Sequence, residues 1–223
     1  MTIQFFNDPQ ALLRLMQTLL RGTGTTLEIF ALTLLFSIPL GILTALGRMS
    51  RYRIVRGPIS AAIYFLRGTP LMLQLMVVYF LLPMVLPINI NRFWAAIFAF
   101  TVNYAAYFAE IFRGGIQSIA QGQREAAQVL GFSRLQTFWR IILPQVFKRV
   151  LLPTTNEVMT LIKDTSLAFT ISVAELMRAA KTEVSRSTSV EPYLAALLIY
   201  LALNGLAEQL CRMLERKMDY YKS

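Results

Sequence analysis

The chain has 223 residues, 56% of them hydrophobic and only 15% charged, with 22 Lys and Arg against 12 Asp and Glu and a formal net charge of +10. Mean hydropathy is +0.52; an average soluble domain is less apolar and about 25% charged, so a bilayer is the expected solvent. The absence of histidine rules out histidine triads and histidine-ligated zinc, the single Cys211 can form neither an intramolecular disulfide nor a C-x-x-C pair, and no glycine precedes a lysine, so the chain holds no P-loop.

Near the N-terminus, Asp8, Pro9, Arg14 and Arg21 do not suit a cleavable signal peptide. Within the segment 1–24, Leu12, Leu13, Leu15, Met16, Leu19 and Leu20 alternate with Arg14, Gln17 and Arg21. That pattern predicts an amphipathic helix over 9–20 lying on a membrane surface. A spanning helix needs about 20 mostly apolar residues. Five stretches qualify: 25–46, 59–82, 93–112, 151–173 and 193–213. The expected fold is therefore an all-α integral membrane protein with five transmembrane helices, a single domain over 1–223.

An odd number of spans places the two ends of the chain on opposite sides. One set of loops then holds Arg48, Arg51, Arg53 and Arg56, then Arg113, Arg124, Arg134, Arg140, Lys148 and Arg149, then Arg212, Arg216, Lys217 and Lys222. The opposite set holds only Arg14, Arg21, Arg92, Arg178, Lys181 and Arg186. Cytoplasmic loops carry the excess of basic residues, so the N-terminus is expected outside and the C-terminus in the cytoplasm. The same asymmetry explains the basic balance without nucleic acid. The longest cytoplasmic segment, 113–150, is rich in helix formers and is expected to fold and face a cytoplasmic partner.

Ionisable residues within spans are costly and are functional candidates by default. In the second span, Arg67-Gly68-Thr69-Pro70 should break the helix, because Pro70 removes a backbone bond. Broken helices are tolerated where they line a cavity, so Thr69 and the nearby carbonyls are candidate substrate contacts. In the third span Asn103, Tyr107 and Glu110 share one helical face. In the fourth, Glu157, Thr160 and Asp164 share another, flanked by Lys163. A face carrying both charge signs and hydroxyls suits a zwitterion: Lys163 for its carboxylate, Glu157 or Asp164 for its ammonium. In the simpler reading, Arg67, Glu110, Lys163 and Asp164 neutralise one another to fix helix packing.

Within the cytoplasmic loop stands Gln123-Arg124-Glu125-Ala126-Ala127-Gln128-Val129-Leu130-Gly131, closed by Ile141-Ile142-Leu143-Pro144. This E-A-A, three residues, G pattern resembles the cytoplasmic signature of permease subunits of ATP-binding-cassette importers. Arg67-Gly68-Thr69-Pro70-Leu71 and Lys163-Asp164-Thr165-Ser166-Leu167 are similar to segments of the polar amino-acid uptake branch (histidine, glutamine, arginine and cystine types). The resemblance implies the type I importer-permease fold, with the loop as a coupling helix. Its contact residues would be Arg124, Glu125, Ala126, Ala127, Leu130 and Gly131.

The expected local reasons are Glu125 in the first helical turn, low-relief alanines, Gly131 as helix stop and Pro144 as the break before the return to the membrane. The resemblance further implies a second permease copy or paralogue, an ATPase dimer that carries the ATP and Mg, and an extracytoplasmic amino-acid receptor. The chain would bind no cofactor and catalyse no reaction. An ion-coupled secondary transporter, with Glu110, Glu157 and Asp164 relaying protons, is the alternative, although it has no need of the folded loop. A membrane enzyme would have only Ser166 with Lys163 for nucleophile and base.

Overall fold

The computed structural model describes residues Asp8–Met218, so the first seven residues and the last five, Lys222 among them, lie outside it. Every regular element among its described residues is helical. They cluster into two compact units: one of residues up to Phe36, Thr69–Thr101 and Val158–Gln209, the other of Ser37–Gly68, Val102–Glu157 and residues from Leu210.

Helix α1 runs without interruption over Pro9–Arg48. The expected surface helix at 9–20 and the expected first span are thus one element. Nothing between them stops a helix, and the inward leucines Leu15 and Leu19 pack on Leu176, Ala180 and Ala196. Helix α2 covers Arg53–Gly68 and stops at Thr69-Pro70, as the sequence predicts. The chain resumes as α3 (Leu71–Met76), a π-helical turn (Val77–Leu81) and α4 (Leu82–Val85). Helix α5, Arg92–Gln117, is largely buried.

The loop contains α6 (Gln121–Val129) and α7 (Arg134–Thr137). A π-helical turn over Phe138–Ile142 joins α7 to α8 (Leu143–Asp164), which tightens into a 3-10 turn over Thr165–Ile171. Pro144 therefore does not separate loop from span, because the helix passes through it. A proline ring clashes with the carbonyl four residues before it, and the wider π turn directly upstream relieves that clash. Pro83 follows the other π turn in the same way. Helices α9 (Leu176–Ser187) and α10 (Glu191–Met218) complete the chain.

Among the described residues, three helices are long and apolar enough to cross a bilayer: Pro9–Arg48, Arg92–Gln117 and Glu191–Arg216. The broken pair Arg53–Gly68 and Leu71–Val85 counts as a fourth if taken as one span. The stretch 151–173 is helical in α8 and the 3-10 turn, but Glu157, Lys163 and Asp164 dilute its apolarity. In the second unit, Gly41 lets α1 approach α5 closely. A Cβ there would lie 2.7 Å from the Cβ of Phe108 and 3.2 Å from the Ala105 carbonyl. Ala45, Ile63, Ala106 and Ala109 fill the core beside that crossing.

Candidate functional site

The break in α2 is stabilised by two amides. Pro70 has no N–H to give the carbonyl four residues earlier, that of Leu66, and the Asn103 side-chain amide donates to this carbonyl instead at 3.1 Å. On the other side of the break, Gln74 Nε2 donates to the hydroxyl of Thr69 at 2.8 Å and to its carbonyl at 3.2 Å. Asn103 and Gln74 are both buried. Thr69 and Asn103, expected along a substrate pathway, thus first serve the broken backbone. Sequence reasoning missed Gln74, although a lone amide four residues after Pro70 in an apolar run was the available signal.

The α5 stripe faces α2. Tyr107 lies under the Arg67 guanidinium, 5.1 Å from ring centroid to Cζ. Glu110 is held by Arg48 at 2.9 Å, by Arg113 at 2.8 Å and by Arg67 at 3.8 Å. The expected Arg67–Glu110 neutralisation is present, but it is the weakest of three contacts. Arg48 and Arg113, read in the sequence only as orientation charges, are the nearer partners. Arg48, Arg67, Tyr107 and Glu110 line a cavity of about 470 Å³ with Ser60, Ile63 and Tyr64.

On α8, Glu157, Thr160 and Asp164 lie within one unbroken helix, so the predicted common face holds. Lys163 is turned about 100° from Asp164 and is exposed. It borders a cavity of about 410 Å³ whose other walls include Ser166, Met177, Tyr193, Leu197 and Tyr200. Lys163 thus meets tyrosines and apolar groups there, with no carboxylate in the cavity wall. Ser166 gives its hydroxyl proton to the Lys163 carbonyl at 2.7 Å, an ordinary helix-surface bond and no nucleophile–base pair.

Glu175, absent from the sequence-based candidates, is fully buried. It caps α9, accepting from Met177 N and Arg178 N at 2.7 Å each, and Tyr200 donates to it at 2.9 Å. Burial outweighs these donors and pushes its carboxyl up to about 7.

In the loop, α6 ends as the sequence predicts. Gly131 takes a φ of +79°, Gly131 N donates to Gln128 O, and Phe132 N donates to Ala127 O, both at 3.0 Å. Ser133 then opens α7 in a reciprocal capping box with Gln136. Beneath the loop, Ile119, Ile142, Val146 and Val150 form an apolar cluster. Two expectations are corrected. Glu125 lies in the second turn of α6, where it accepts from Gln121 Nε2 at 2.9 Å, so it does not serve the helix dipole. Ala127 is buried; it is a packing position, not part of the outer surface. Arg124, Ala126, Leu130 and Gly131 are exposed, and Val129 joins them at 88% exposure beside Leu130 at 74%.

Residues 37–220 match the family model described as "Binding-protein-dependent transport system inner membrane component". The chain is 37% identical to the L-cystine transport system permease protein TcyB of Bacillus subtilis (strain 168) over 202 residues, 90% of this chain and 86% of that one. It is 36% identical to the arginine transport system permease protein ArtQ of the same organism, covering 90% of this chain and 92% of the relative. A solved amino acid ABC transporter structure with histidines superposes with a TM-score of 0.88 at 31% identity, over 97% of this chain and all of that one. The methionine transporter MetNI in an inward-facing form shares the fold, with a TM-score of 0.74 at 18% identity. The fold is thus the type I importer-permease fold, and the relatives are transport components, not enzymes. The chain belongs to the binding-protein-dependent transport system inner membrane component family, the permease subunits of ATP-binding-cassette importers.

Proposed function

We propose that this permease carries a polar amino acid inward by alternating access, driven by a separate ATPase seated on α6 and α7. The observation that carries the coupling reading is the loop itself. It is fixed by a glycine helix stop, a capping box and an apolar floor, yet it displays Val129 and Leu130 to water. Exposed apolar side chains on a rigid base mark a protein contact. Arg124, Glu125, Ala126 and Gly131 surround them, while Ala127 anchors the helix from beneath.

The substrate class rests on the cystine and arginine permeases among the relatives. The mixed charges of α8 support it: Glu157, Thr160 and Asp164 would meet an ammonium, and Lys163, flanking that face, a carboxylate. Thr69, Asn103 and Tyr107, at and beside the α2 break, are the further pathway residues. The chain is a multi-pass inner-membrane protein, and its loop charges favour an outside N-terminus and a cytoplasmic C-terminus. A second permease, an ATPase pair holding the nucleotide and Mg, and an external receptor complete the importer; this chain needs no cofactor.

Leu130→Asp tests the coupling. In proteoliposomes containing the assembled importer, ATP-dependent uptake should fall at least tenfold, while helix content and membrane insertion stay unchanged. Uptake at the wild-type rate would contradict docking at this surface.

A further inference from the structure

On the side of the second unit where α1 ends and the loop begins, a cavity of about 450 Å³ is walled by Arg48, Arg56, Arg113 and Arg124, with Ser60 and Gln117 among its other walls. Four guanidinium groups and no carboxylate line it. Glu110 offsets part of that charge from behind by pairing with Arg48 and Arg113. No ion pair among the described residues involves Arg56 or Arg124. Guanidinium groups are forks that match phosphate oxygens bidentately, and clustered in a concave wall they repel one another unless an anion enters. The two residues before Arg56 on α2 are exposed aliphatic side chains, Ile54 at 87% and Val55 at 40%. Arginines beside exposed aliphatic side chains are the pattern of the boundary between headgroups and acyl chains.

We propose that this cavity binds a phosphate-bearing anion, supplied in the membrane by the headgroup of an anionic phospholipid. The exposed Ile54 and Val55 on the same helix favour the lipid over free phosphate, since they give the acyl chains a surface. Bound there, the phosphate would tie the ends of α1, α2 and α5 to Arg124 on the coupling helix. The site does not depend on the transported substrate. Only its assignment to the cytoplasmic leaflet rests on the proposed orientation.

The test is native mass spectrometry of the purified importer complex titrated with phosphatidylglycerol, with phosphatidylcholine, or with inorganic phosphate. Phosphatidylglycerol should be retained in preference to phosphatidylcholine. Arg56→Gln should weaken its retention at least about fivefold, because it removes a charge-assisted hydrogen bond to the seated phosphate. Arg53→Gln, the same charge loss outside the cavity wall, should change it less than twofold. If inorganic phosphate binds as tightly as phosphatidylglycerol with the same Arg56 dependence, the anion site stands and its natural ligand is a soluble phosphate. Equal weakening by both variants would mean diffuse surface attraction and would overturn the proposal. So would equal retention of the two lipids without phosphate binding.

Discussion

At the scale of single residues, two buried amides, Asn103 and Gln74, repair the backbone that Pro70 disrupts. Asn103 serves the Leu66 carbonyl that Pro70 cannot reach, so Asn103→Ala should lower stability by about 1–3 kcal/mol, read as a drop in thermal midpoint. Asn103→Asp should not restore it, because an ionised carboxylate cannot donate to a carbonyl. The sequence showed the polar stripe of Asn103, Tyr107 and Glu110 but not its partners. Arg48 and Glu110 lie far apart in the chain and meet only because α1 and α5 pack closely. Glu175 was illegible for the same reason: its partner Tyr200 is on another helix.

Glu175 also sets a pH dependence. Its carboxyl is raised from the usual 4.5 to about 7, so between those values the folded chain keeps a proton that the unfolded chain has released. Stability should therefore fall as pH rises from 4.5 to about 7 and level off above, by ~3 kcal/mol in all. Thermal midpoints of the protein and of Glu175→Gln between about pH 5 and pH 8 check this. A slope that survives in the variant would assign it to another group.

At the scale of elements, local chemistry was legible where one residue dictates the backbone. Pro70 predicts the α2 break, and Gly131 predicts the end of α6. Gly131→Ala should cost about 1–2 kcal/mol, because an L side chain resists positive φ. Amide exchange over α6 and α7 should quicken, with the long helices unaffected; unchanged exchange would show the stop to be dispensable. The sequence was a poorer guide where an element's course depends on its neighbours. Pro144 reads as a breaker, yet the π turn at Phe138–Ile142 carries the helix through it. The surface-helix pattern at 9–20 reads as a separate element, yet Leu15 and Leu19 face a core made by α9 and α10, and α1 stays whole.

At the scale of the molecule, apolar composition and basic asymmetry point to a bilayer protein, and the E-A-A…G spacing points to its family. Sequence alone could not show how the loop divides between buried support and outward contact. Ala127 turns inward while Val129 and Leu130 stay exposed, and that division supports the proposed coupling surface. On the membrane side, if Lys163 serves the proposed substrate carboxylate, Lys163→Ala should reduce uptake or shift its preference among amino acids. Unchanged uptake kinetics would leave Lys163 a purely structural role.

The most direct test of the account is a mild-detergent pull-down of the tagged chain from its native membrane, with every co-purifying protein identified. The account predicts recovery of a P-loop ATPase together with a permease partner, and loss of the ATPase in the Leu130→Asp variant. Recovery of this chain without an ATPase, from membranes shown to yield other importers intact, would contradict it.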